Sequence, residues 1–440
     1  MGRRRPIVLA LAALVTAAPW ALAAPARAVT ISTSPELTWQ TVGSLDAHGR
    51  NLQGRVEAIA YGRRASSGMV FLGGDFTQVR PPRNQTGNAV ARQHLAAFSV
   101  KRGRLISAWK VPVKAANGTA RVVTVALSPD GKVLYVGGRF DAVDGKARSN
   151  VAAVNTSTGR LLRWHLNANG GVHAFLVGRG DGRIYLGGTF SRINGTVRQH
   201  LAAVSSKRGS LVGSWNPSLA QEAGRCPPRC AADVRALDLS RDGDTVYVGG
   251  SFARVNGTRR NSAAAVTART GHLTHWNPSV FNGGQNGSLN IVSDIDAVGK
   301  RIFLCGDFYQ VNYGRSPLVS PNLAAVDRRH GNSISAFNAA TDGALNACEY
   351  HAKAKRLFIG GHFDHVGRRS AIHDNTAPTR HHFAAVSTRK GALDAWNPDA
   401  NSVPGAFAVA VQKTHVAFGG DFTTINGDAQ AGFAQFKLSF

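Results

Sequence analysis

Two groupings of side chains in the 440-residue sequence have the composition of a reactive site. In the first, Asp75, Asp307, His362 and Asp421 each occupy the same place in a recurring Gly-Gly-x-Phe run, where the remaining copies carry Arg139, Thr189 and Ser251. Carboxylates brought together can divide acid and base roles, bond sugar hydroxyls or hold a cation. A short polar residue at a strand end also bonds the backbone N–H groups of the turn that follows, which is the commoner use. The second grouping is histidine-rich: His362, Asp364, His365, His373, Asp374, His381 and His382 fall within 21 residues. His362-x-Asp364-His365 and His373-Asp374 supply nitrogen and oxygen donors suited to zinc or another divalent metal ion as cofactor. No helical i,i+4 or C-x-x-C spacing fixes a geometry for them. His382 aligns with His94, Asn150, His200 and Asn322, each just ahead of a Leu-Ala-Ala-Val-like segment. That recurrence marks a structural position and leaves His365 and His373 as the stronger ligands.

The elements that must position these residues are repeats. An apolar run ending in Gly-Gly-x-Phe occurs seven times, with second glycines at 74, 138, 188, 250, 306, 361 and 420, and Cys305 replacing the first glycine once. Upstream of the run lies an apolar, often alternating segment such as Val123-Val125-Leu127. Downstream lies a Leu-Ala-Ala-Val-like segment, then a Gly-x-Leu-like turn leading to Trp109, Trp164, Trp215, Trp276, Phe337 or Trp396. These segments are short, rich in β-branched and aromatic residues, and bounded by Gly, Asp, Asn and Pro, so they read as strands. Four strands in each of seven repeats predict an all-β fold: a seven-bladed β-propeller of four-stranded antiparallel blades, with the recurring aromatics packed between blades. The last repeat stops at Phe440 without its aromatic strand, and Leu37-Thr38-Trp39 supplies one ahead of the first repeat. Pairing that N-terminal strand into the last blade closes the ring and removes exposed sheet edges.

The pattern of Tyr247 to Phe252, Val255-Asn256-Gly257, Ala264 to Val266 and Thr270 to Pro278 resembles the delta-60-type propeller repeat of secreted bacterial proteins. The resemblance extends over nearly the whole chain after residue 28. It implies a β-propeller and carries no established reaction.

Turn chemistry separates two faces. Loops joining strands one to two and three to four are tight, as in Ser128-Pro-Asp-Gly131 and Ser157-Thr-Gly159. Loops joining strands two to three, and one repeat to the next, hold nearly all the length variation. Long loops on a rigid scaffold are where binding and catalysis concentrate. The seven Gly-Gly-x-Phe residues end the second strand on that face, so Asp307, His362, Asp421 and Asp75 form a contiguous arc there.

Residues 1–28 read as a signal peptide: Arg3, Arg4 and Arg5, an apolar stretch, then Ala26-Arg27-Ala28 at the cleavage position. Residues 29–440 then form a single domain, secreted and extracellular, with no later segment apolar enough to span a membrane. In an oxidising compartment, Cys226 and Cys230 are expected to form a local disulfide, and Cys305 with Cys348 can bridge neighbouring blades or stay as buried thiols. The chain carries 52 Lys and Arg against 25 Asp and Glu. That balance favours contact with anionic polysaccharide or cell-wall polymer, and no specific nucleic-acid motif is present. No Walker loop, Rossmann fingerprint, nucleophile elbow or H-E-x-x-H appears. The expectation is a monomeric, non-catalytic binding or scaffolding module using its long-loop face. The alternative is a glycan-active hydrolase or lyase built from carboxylates and histidine at the channel mouth.

Overall fold

The computed structural model describes residues 29–43, 54–82, 84–222, 231–282, 290–402 and 404–440. The expected signal peptide and the Cys226–Cys230 pair lie outside these residues. The fold is all-β. One α-helix, the five-residue Arg369–His373, and one 3-10 turn are present among the described residues. No helix there is long and apolar enough to cross a membrane.

Seven antiparallel sheets follow one plan among the described residues, each with the middle strand of its repeat at the centre. In the first repeat Val56–Tyr61 pairs with Met69–Gly74, which pairs with Leu95–Ser99. The first strands of the later repeats are Arg121–Leu127, Val172–Val177, Asp233–Leu239, Ile291–Val298, Leu345–His351 and Ala406–Gln412. Each first strand lies against the first strand of the next repeat, and Val56–Tyr61 lies against Ala406–Gln412. Thr30–Ile31 pairs antiparallel with Phe433–Ser439, the third strand of the last repeat. In the other six repeats the fourth segment is reduced to one bridge, such as Phe98↔Leu105 or Val266↔Leu273. The chain leaves the sheet there to bury the aromatic that follows.

That aromatic ties one repeat to the next. Trp109, Trp164, Trp215 and Trp276 pack on Phe71, Tyr135, Tyr185 and Tyr247 of their own repeats at 5.0–5.3 Å. Their indole N–H groups donate forward to Asn155, Ser205, Thr267 and Asp327 carbonyls. Trp396 donates to the Ser32 carbonyl. An aromatic so used is buried on its apolar faces and satisfied at its one polar atom.

The residue ahead of each third strand holds a left-handed backbone: His94, Asn150, His200, Ser262, Asn322, His382 and Gly432 all have φ between 60° and 70°. Asn and Gly tolerate that region best, and His is also enriched there. The structural reading of His382 therefore has a backbone cause. Two residues earlier, Arg92, Arg148, Arg198, Arg260 and Arg380 each cap a carbonyl of the following aromatic segment, as Arg148 does Leu162 and Arg260 does Thr274. Part of the arginine content is thus scaffold.

Candidate functional site: the channel mouth

The double glycine builds the site. A Cβ on the second glycine of each run would press into a carbonyl of its own first strand or the segment leading to it, at 1.9–2.7 Å: Arg55 for Gly74, Arg121 for Gly138, Asp233 for Gly250, Gly405 for Gly420. A Cβ on the first glycine would strike the next repeat, Val122 for Gly73 and Val234 for Gly187 at 2.3–2.4 Å. The missing side chains let strands approach closely, and at that point every first strand takes one extra residue. The bulged residues are Glu57, Val123, His173, Arg235, Ser293, Asn346 and Phe407. A bulge bends its strand and re-aims a side chain. All seven line one cavity of about 720 Å³, to which every first strand contributes.

Its polar groups fall into two sets. Around repeats one to four, Glu57 accepts from the Arg121 guanidinium at 2.5 and 3.2 Å. His173 Nδ1 lies 2.7 Å from Asp233 Oδ1, while Arg235 Nε donates to Asp233 Oδ2 at 2.9 Å. Burial pushes the Asp233 carboxyl up, but His173 and Arg235 outweigh it and hold it below its ordinary value. Arg139 and Thr189, from the Gly-Gly-x-Phe positions of repeats two and three, complete this wall.

Around repeats four to seven, carboxylates stitch each first strand to the next. Asp238 accepts the Ala297 N–H at 2.6 Å, Asp294 that of Cys348 at 2.8 Å, Asp296 that of Tyr350 at 2.5 Å, and Glu349 that of Val411 at 3.2 Å. Burial raises all four, Asp238 to about 6 and Asp294 to about 7, with Asp296 and Glu349 well above their ordinary values. The backbone donors favour the ionised form but do not overcome desolvation.

The residues singled out from the sequence lie elsewhere. None of Asp75, Asp307, His362 and Asp421 lines the cavity. Asp75 accepts the Arg55 N–H at 2.7 Å, and burial, with Asp421 nearby, raises its carboxyl. Asp421 accepts from the Ser402 hydroxyl, which itself accepts the Gly405 N–H. Asp307 faces Asn282 Nδ2 at 3.4 Å. His362 is exposed and stacks 6.5 Å from His382. His365 Nδ1 meets Asp342 at 2.7 Å, and the N–H groups of Asp364 and His365 donate to the same carboxylate. His373 ends the short helix, and the exposed Asp374 follows it at the cap. Among the described residues, no three His, Cys, Asp or Glu side chains are grouped to hold a metal ion.

Sequence reasoning passed over the cavity residues because strict alternation puts position 57 and its equivalents on the opposite side of the strand. A signal was present nonetheless. Between a uniformly apolar residue (Val56, Val122, Val172, Val234, Val292, Leu345, Ala406) and a mostly small one, each copy carries a different side chain.

Cys305, at the glycine position of repeat five, is bonded to Cys348 in the first strand of repeat six, with Cα atoms 6.4 Å apart. The bridge takes the place of the close contact a glycine permits elsewhere.

Residues 179–202 match the family described as a domain of unknown function (DUF5122) β-propeller. The match spans a second strand, its Gly187-Gly188-Thr189-Phe190 run and the start of the third strand. No curated protein matches the chain. Short as it is, the matched segment is one copy of the unit that recurs through the chain, so the match supports a β-propeller domain, with which the delta-60-type repeat is consistent.

Proposed function

We infer that the chain is an exported seven-bladed propeller, closed by its N-terminal strand, that binds anionic polysaccharide or cell-wall polymer without transforming it. Closure is supported by the contact between the first and last inner strands and by the Thr30–Ile31 pairing. The Glu36 N–H also donates to the Gln435 carbonyl, as the Ile106 N–H does to that of Ala97. That register makes Trp39 the counterpart of Trp109. The Cys305–Cys348 bridge suits an oxidising, extracytoplasmic compartment.

One observation carries the polymer reading. Six acidic side chains are turned into the channel, while on the hairpins after the Gly-Gly-x-Phe runs of repeats one to four exposed cations stand beside the exposed Asp141 and Asp144. Glu57, Asp233, Asp238, Asp294, Asp296 and Glu349 are spent in the channel. Arg80, Lys114, Lys146, Arg192 and Arg259 are exposed on the long-loop face of repeats one to four. Such a surface attracts a polyanion through a field that salt screens within about 10 Å. Retention of the protein on teichoic acid or acidic polysaccharide should fall steeply with salt, and the triple variant Arg80→Glu, Arg192→Glu, Arg259→Glu should lose it. Retention indifferent to salt and to these changes would reject the reading.

A further inference from the structure

We propose that the channel mouth between repeats two, three and four binds one oxyanion carried by a small sugar, a carboxylate or a phosphate. Arg139 lines the cavity, is exposed, and has no side-chain partner among the described residues. Arg235 spends its Nε on Asp233 and leaves its two terminal nitrogens uncommitted. Asp233 engages His173 through Nδ1, which leaves Nε2 as that ring's contact to a ligand. Gly171 brings His173 and Arg139 together: a Cβ there would touch His173 Nε2 at 2.6 Å and Arg139 Cγ at 3.4 Å. Of the carboxylates lining the cavity, Asp233 is matched by His173 and Arg235 and Glu57 by Arg121, while Asp238, Asp294, Asp296 and Glu349 accept backbone N–H groups around repeats four to seven. The uncommitted charge on this wall is therefore cationic.

The rest of the cavity suits a sugar. Thr189 and Ser293 offer hydroxyl groups, Asn346, whose Nδ2 donates to the Ala406 carbonyl, offers its amide oxygen, and Phe175 an apolar face. A volume of about 720 Å³ lies in the range of small-ligand sites, roughly 300–1,000 Å³. A scaffold of seven like units that carries a different side chain at each bulge presents an asymmetric surface, as recognition of one asymmetric ligand requires.

Calorimetric titration of the folded, full-length secreted chain with glucuronate, glucose 6-phosphate and glucose tests this. Saturable binding of either charged sugar, with glucose at least tenfold weaker, is the expected result, and the stronger of the two identifies the oxyanion. Arg139→Glu should weaken binding by tenfold or more, as loss of a charge-assisted contact does, and His173→Gln should weaken it as well. No saturable binding of either charged sugar, or affinity unchanged in both variants, would overturn the proposal. Polymer retention is read separately, through the loop-face variant, so either idea can fail while the other stands.

Discussion

Asp294 accepts the N–H groups of Ile295 and Cys348 and still titrates at about 7, because burial outweighs both donors. The folded state therefore holds its proton more tightly than the unfolded chain, where the group titrates near 3.8. Stability from this residue is complete at pH below the unfolded value and is lost as pH rises toward about 7. Asp238, raised to about 6, acts in the same direction over a narrower window. Thermal midpoints should accordingly fall from acidic to neutral pH, and Asp294→Asn should flatten that slope. A slope identical in the variant would remove this carboxyl as its source.

At the scale of the element, the Gly-Gly pair is a clearance, not a hinge. Gly187 sits where a Cβ would meet Val234 Cγ1 at 2.3 Å. Gly187→Val should lower stability by about 1–3 kcal/mol through overpacking, measured by denaturant unfolding. The paired change Gly187→Val with Val234→Ala should recover most of the loss. No recovery would mean that the strand, and not the contact between repeats, is what the glycine serves.

At the scale of the molecule, two devices join distant parts of the chain. The Cys305–Cys348 bridge encloses a sequence separation of 43 residues, for which the chain-entropy account gives about 4 kcal/mol. Reduction should lower the unfolding midpoint accordingly. The N-terminal segment contributes pairing to Phe433–Ser439 and the acceptor for Trp396. A chain beginning after residue 39 should unfold at lower temperature and associate through the uncovered edge, seen as a shift in mass by light scattering. A monomer of unchanged stability would argue against closure by that segment.

The sequence by itself determined the strands, the repeat and the contact between repeats, because each copy restates one local pattern: Gly-Gly-x-Phe, Leu-Ala-Ala-Val and a terminal aromatic. It left Cys305 and Cys348 open between a bridge joining neighbouring repeats and buried thiols, and the structure shows the bridge. Only the tertiary structure decided where the polar chemistry lies. Asp75 and Asp421 were legible as recurring polar positions, yet their partners Arg55 and Ser402 sit in the segments leading into first strands, where no pattern announces them. His173 and Asp233 are 60 residues apart, and they meet because a bulge turns His173 toward the neighbouring first strand. Strand periodicity records which side chains alternate. The single added residue that breaks the alternation is marked in the sequence only by its variability, and its place in the cavity is set where two glycines let the strands close upon it.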